Sequence, residues 1–141
     1  MSGVAENSVT LSWNRFDNFF ALYDELKTVR TLIYVIGEAH HCYIGCVGCK
    51  NGIGGLGVRY QKQYLDRARA IFGLDASKGQ PSYAGLIETP RNPSPELVER
   101  IERNIQNSFL LKHGKNNCLF EIQGTVETIS ILHRGSRPPF L

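Results

Sequence analysis

The stretch that most constrains the fold runs from Thr31 to Arg59, TLIYVIGEAHHCYIGCVGCKNGIGGLGVR. It holds two short apolar runs, LIYVIG and CYIGCVG, each with one tyrosine, Tyr34 and Tyr43. Val, Ile and Tyr fit a pleated, half-buried surface, so both runs read as strands. Only Glu38, Ala39, His40 and His41 separate them, a spacing that suits an antiparallel hairpin. Residues directly opposed in an antiparallel pair share a face. Tyr34 and Tyr43 can therefore be opposed or diagonal neighbours on one face, depending on the turn.

The flanking sequence supplies the rest of a small sheet and its cover. Ser8 to Trp13 alternates polar and apolar residues and predicts a short edge strand. Phe19, Phe20, Tyr23 and Leu26 recur at helical spacing within Asp17 to Lys27, with Asp17 as the N-cap. That helix would cover one face of the sheet. After the hairpin, KNGIGGLG over residues 50–57 lacks GK[ST], so it reads as a strand-to-helix link rather than a phosphate cradle. Val58 to Phe72 predicts an amphipathic helix with Val58, Leu65, Ala68 and Phe72 on one side. Arg59, Lys62, Asp66 and Arg69 share another, mostly cationic face, which is either a solvated surface or a surface for phosphate.

Leu74 to Pro81 reads as a loop, Ser82 to Glu88 as a third strand and Thr89 to Ser94 as a second loop. Ser94 then caps a helix with Pro95 in its first position, running to His113 and stopping before Gly114. Its apolar stripe is Leu97, Val98, Ile101, Ile105 and Phe109, and Glu102 sits on the stripe's border. A carboxylate there needs a metal ion, a basic residue or access to water, because burying a bare charge is costly. Beyond Asn116 and Asn117, the segments CLFEIQ and VETISIL flank Gly124-Thr125 and predict a C-terminal hairpin. The tail carries His133, Arg134 and Arg137, which either touch a nucleic-acid backbone or fray.

At 141 residues the chain is the size of one domain, and 42% hydrophobic with 21% charged residues is ordinary for a globular protein. A net charge of +3 allows an anionic partner without demanding one. There is no apolar run of membrane-spanning length and no basic-then-apolar signal pattern in MSGVAENSVTLSW, so the expected location is intracellular, in the cytoplasm. The four cysteines are then expected as thiols or ligands. Cys42, Cys46 and Cys49 have the spacing CxxxCxxC after His40 and His41, which resembles the iron–sulfur motif of radical SAM enzymes and also suits part of a zinc site. On a continuous strand Cys42 and Cys46 share a face and Cys49 has the opposite parity, so the three converge only if the chain breaks at Gly48.

The order of parts resembles the GIY-YIG nuclease family. Leu32-Ile33-Tyr34 matches its first half motif and Tyr43-Ile44-Gly45 its second, with Leu32 in place of the glycine. Arg59 matches the arginine that opens the next helix, Glu102 the metal-binding glutamate, and Asn117, or Asn116, the asparagine after that helix. The resemblance implies an α+β fold, a small central antiparallel three-stranded sheet flanked by helices. It covers residues 31–117, between an N-terminal extension over 1–30 and the C-terminal hairpin and tail over 118–141. It implies a metal-dependent endonuclease that hydrolyses DNA phosphodiester bonds, with Mg²⁺ or Mn²⁺ held by Glu102. Tyr34 would take a proton from the attacking water, Arg59 would hold the scissile phosphate and Tyr43 would orient water or phosphate. A phenol titrates near 10, so Tyr34 would need cations nearby to act as a base. Some relatives carry a further His or Tyr one turn after the arginine; Gln63 stands there, and Tyr64 beside it is the candidate. Lys50, Lys62 and Arg69 would contact the backbone of the nucleic acid, and Asn117 would pin the helix end. One such site cuts one strand, so breaking a duplex would call for a homodimer. A catalytically silent nucleic-acid-binding module on the same fold is the alternative, with a Cys-ligated metal or iron–sulfur protein behind it.

Overall fold

A computed structural model of the chain describes residues 8–49 and 80–141. The glycine-rich link and the helix expected over Val58 to Phe72 lie outside the described residues, and with them Lys50, Arg59, Lys62, Tyr64 and Arg69. The elements in order are β1 (Ser8–Phe16), α1 (Phe19–Leu26), β2 (Leu32–Glu38), β3 (His41–Val47), β4 (Ser82–Thr89), α2 (Pro95–His113), a 3₁₀ turn (Lys115–Asn117) and β5 (Ser130–Gly135).

The fold is α+β, as expected, but its sheet is larger than the three strands foreseen. Five strands lie in the order β3-β2-β4-β1-β5. The antiparallel trio β3-β2-β4 is present, with β2 in its centre. It is extended by β1, antiparallel to β4, and by β5, parallel to β1. β1 is thus an inner strand, a correction to the edge strand expected there. It continues to Phe16, and Val9, Leu11 and Trp13 are all buried. Alternation alone cannot tell an edge strand from an inner one, because both bury one face.

The C-terminal hairpin does not form. Residues 118–129 run without a ladder partner apart from one bridge between Cys42 and Cys118. Their polar backbone is instead met by α2. Arg100 donates to the carbonyls of Glu127 and Thr128, at 3.4 and 3.0 Å. Asn104 Nδ2 donates to Glu127 O at 2.7 Å, and its Oδ1 accepts from Ile129 N at 3.2 Å. A helix that offers amide and guanidinium groups on its flank removes the need for a second strand, since buried backbone groups only require some partner.

Both helices begin at side-chain caps. Ser94 Oγ accepts from Leu97 N at 3.1 Å, with Pro95 following, as expected. At α1 the cap is Asn18, not Asp17: Asn18 Oδ1 accepts from Ala21 N at 2.9 Å. Asp17 instead pairs with Arg15 at 3.1 Å on the exposed surface.

The registers sort the strands into two faces. Leu32, Tyr34 and Ile36 of β2 share one face with Tyr43, Gly45 and Val47 of β3 and with Ala84 and Leu86 of β4. α1 covers this face, and its Phe19 meets Tyr34 edge to face with ring centroids 5.9 Å apart. The other face carries Ile33 and Val35, Cys42, Ile44 and Cys46, Tyr83 and Gly85, and Leu11 and Trp13. α2 covers it with Val98, Ile101, Ile105 and Phe109, all buried. Close backbone approach matters at Gly85, where a Cβ would lie 3.0 Å from the Trp13 ring.

Candidate functional site on the tyrosine hairpin and the β3 border

The β2–β3 register sets Tyr34 opposite Gly45 and Tyr43 opposite Ile36. The two tyrosines are therefore diagonal neighbours on one face, with rings 6.0 Å apart and inclined by 21°. Gly45 makes this packing possible. A Cβ at that position would lie 2.5 Å from both Cζ and the hydroxyl oxygen of Tyr34, well inside contact distance. The ring of Tyr34 lies across the glycine and under Phe19, and the residue is 1% exposed. Tyr43 is 6% exposed. The hairpin thus brings the two tyrosines together as packed aromatic side chains.

Glu102 stands on the other face. It is half-buried on the flank of α2, where the Cys46 thiol donates to its carboxylate. Cys46 belongs to the α2 side of the sheet by register, and Tyr34 to the α1 side. The sheet itself separates Tyr34 and Tyr43 from Glu102, so the three do not converge as the resemblance implied.

The three cysteines do not gather either. Cys42 stands at the far end of β3, next to Cys118. Cys46 and Cys49, however, do meet: their thiols hydrogen-bond to each other. The break at Gly48 that this required is present, with φ of +92°. Gly48 is held against the backbone, since a Cβ there would lie 2.6 Å from Arg30 O. The bond with Cys49, burial and the Glu102 carboxylate push Cys46 well above the usual thiol range. Burial, then Cys118, push Cys42 up as well. Among the described residues no group of three or more His, Cys, Asp or Glu side chains is arranged to hold a metal ion. A thiol pair with one carboxylate is a soft set, unsuited to Mg²⁺. Glu102 by itself is the kind of ligand a hard cation takes, a half-buried carboxylate oxygen donor. Mg²⁺ keeps most of its waters and needs few carboxylates.

One polar side chain that the sequence reading passed over and one backbone amide tie this region together. Gln106 is buried on the α2 stripe, and its Nε2 donates to Ile44 O at 3.0 Å. Leu119 N donates to Cys42 O at 2.8 Å. Together they occupy outward carbonyls of β3, an edge strand of the sheet. Asn117 Nδ2 donates to His113 O at 2.6 Å and closes the end of α2. Only the position of Gln106 inside an apolar stripe could have pointed to it from sequence.

At the opposite border, the Trp13 indole N–H donates to His133 Nδ1 at 2.9 Å. Burial, then the Arg137 charge, lower the His133 pKa to about 4. The neutral ring is the form that can accept from the indole. Comparison of the chain with protein-family models, curated proteins and solved structures finds no match. No helix among the described residues is long and apolar enough to cross a membrane.

Proposed function

We propose that the chain is a metal-dependent endonuclease of the GIY-YIG type that hydrolyses DNA phosphodiester bonds. The observation that carries this reading is the hairpin with its neighbours. β2 and β3 pair so that Tyr34 stacks on Tyr43 over Gly45, β2 lies central between β3 and β4, and the helix after β4 returns Glu102 to the β3 border. These are the parts of the resemblance, in its order. Mg²⁺ or Mn²⁺ held at Glu102 would supply charge relief at the phosphate and a more acidic bound water. Arg59, outside the described residues, is the phosphate-holding cation of this reading. In this reading Tyr34 serves as the hairpin's aromatic floor, which its 1% exposure and its place on the face opposite Glu102 support.

A second reading, a nucleic-acid-binding module without catalysis, is favoured by that same separation of Tyr34 from Glu102. The two are told apart with supercoiled plasmid and single-stranded DNA, each with Mg²⁺ or EDTA, beside Glu102→Ala and Tyr34→Phe. The nuclease reading expects nicking that needs Mg²⁺, falls at least about 100-fold in Glu102→Ala, as removal of a charge-stabilising group does, and persists in Tyr34→Phe. Salt-sensitive binding without nicking would establish the silent module. Nicking that survives Glu102→Ala would refute the metal assignment.

A further inference from the structure

We propose that Cys46 and Cys49 are a dithiol that closes to an intramolecular disulfide when it meets a peroxide, and reopens with a thiol reductant. The inference stands apart from the nuclease reading. The chain has four cysteines and all four are reduced thiols in the structure. Cys46-Val47-Gly48-Cys49 is a CxxC sequence at the end of an edge strand. Continued as a strand, it would send the two side chains to opposite faces. The left-handed φ of Gly48 turns the backbone so that the Cys49 thiol comes back to hydrogen-bond with Cys46. Glycine is the residue that adopts this conformation without strain. The geometry therefore spends a special backbone position on bringing two sulfurs together.

Exposure orders the steps. Cys49 is 8% exposed and Cys46 1%. Of these two, a small neutral peroxide reaches Cys49 first. Its sulfur attacks one peroxide oxygen; the S–O bond forms, the O–O bond breaks and, with the thiol proton, one water leaves. The Cys46 sulfur then attacks the Cys49 sulfur; the S–S bond forms, the S–O bond breaks and hydroxide leaves. The Cys46 proton goes to that hydroxide as a second water, and the Glu102 carboxylate that accepts the Cys46 S–H is placed to carry it. Two thiols are oxidised by two electrons and one hydrogen peroxide is reduced to two waters. Closing the bridge also takes from Glu102 the S–H that donates to it.

The competing pair is Cys42 with Cys118, which are neighbours across the parallel bridge. Cys42 is fully buried at the other end of the strand. The test treats the full folded chain with hydrogen peroxide, then blocks thiols with N-ethylmaleimide in denaturant and reads intact mass and disulfide-linked peptides. The expected result is a loss of about 2 Da, two maleimide adducts instead of four, a Cys46–Cys49 linkage, and return to four adducts after dithiothreitol. Four adducts after peroxide, a Cys42–Cys118 linkage or a bridge between two chains would each overturn the proposal. Cys46→Ser, checked for folding by circular dichroism, keeps the attacking thiol and removes its partner. It should accumulate a sulfenic acid at Cys49 that dimedone traps, where the wild type shows almost none. A folded Cys46→Ser with no dimedone adduct at Cys49 would overturn the order of attack.

Discussion

At the residue scale, glycines decide how the hairpin is built. Gly45 can be read as part of a YIG triplet from sequence, but its physical task appears only with the register. It leaves room for the Tyr34 ring on the strand opposite. Gly45→Ala should force that ring or β3 to move and cost about 1–3 kcal/mol, the usual penalty for overpacking a core. The check is a urea midpoint measured beside wild type, and an unchanged midpoint would show that the ring relocates freely. Gly48 is a second case. The alternation of β3 predicted that Cys49 would point away from Cys46 unless the chain broke there, and φ of +92° is that break. The sequence contained the condition but not its outcome, because a glycine permits a left-handed bend without requiring one. Asp17 and Asn18 show the same limit: both can cap a helix, and the one whose oxygen reached Ala21 N was settled by a single residue of phase.

At the scale of elements, α2 was the most legible part of the chain. Its start at Ser94-Pro95, its end before Gly114 and its apolar stripe all follow from capping and periodicity. What periodicity did not reveal is that α2 serves both neighbours through polar groups. On one flank Gln106 covers the Ile44 carbonyl of the β3 edge. On the other, Arg100 and Asn104 hold residues 127–129 and replace the strand expected there. Gln106→Leu should leave the Ile44 carbonyl without this donor and lower stability by about 1–3 kcal/mol, the cost of leaving a buried polar group unsatisfied. Because an uncovered edge pairs with other chains, the variant should also aggregate more readily during heating. Light scattering during a thermal melt reads both effects, and a variant as stable and as soluble as wild type would contradict this role for Gln106.

At the scale of the whole molecule, the ends of the described chain are tied together by β1 and β5. Trp13 and His133 are 120 residues apart in sequence and share a 2.9 Å hydrogen bond. A folded His133 pKa of about 4 lies below the ordinary 6.5, so the unfolded chain binds the proton more readily. The resulting stability is complete above pH 6.5 and is lost as pH falls toward 4. His133→Gln keeps an acceptor for the indole and does not titrate. Urea midpoints at pH 7.5, 5.5 and 4.5 should show that wild type takes up nearly one more proton than this variant on unfolding in that window; parallel pH profiles would refute it. The sequence by itself determined the tyrosine hairpin, the third strand, the caps and stripe of α2, and the α+β class, because these rest on contacts between residues close in sequence or on period alone. Only the tertiary structure decided that β1 lies inside the sheet, that β5 joins it in parallel, that residues 118–129 lean on a helix, and that Tyr34 and Glu102 fall on opposite faces. Those outcomes depend on which segment, distant along the chain, arrives to satisfy a given edge or face, and several segments of this sequence offer the same local pattern.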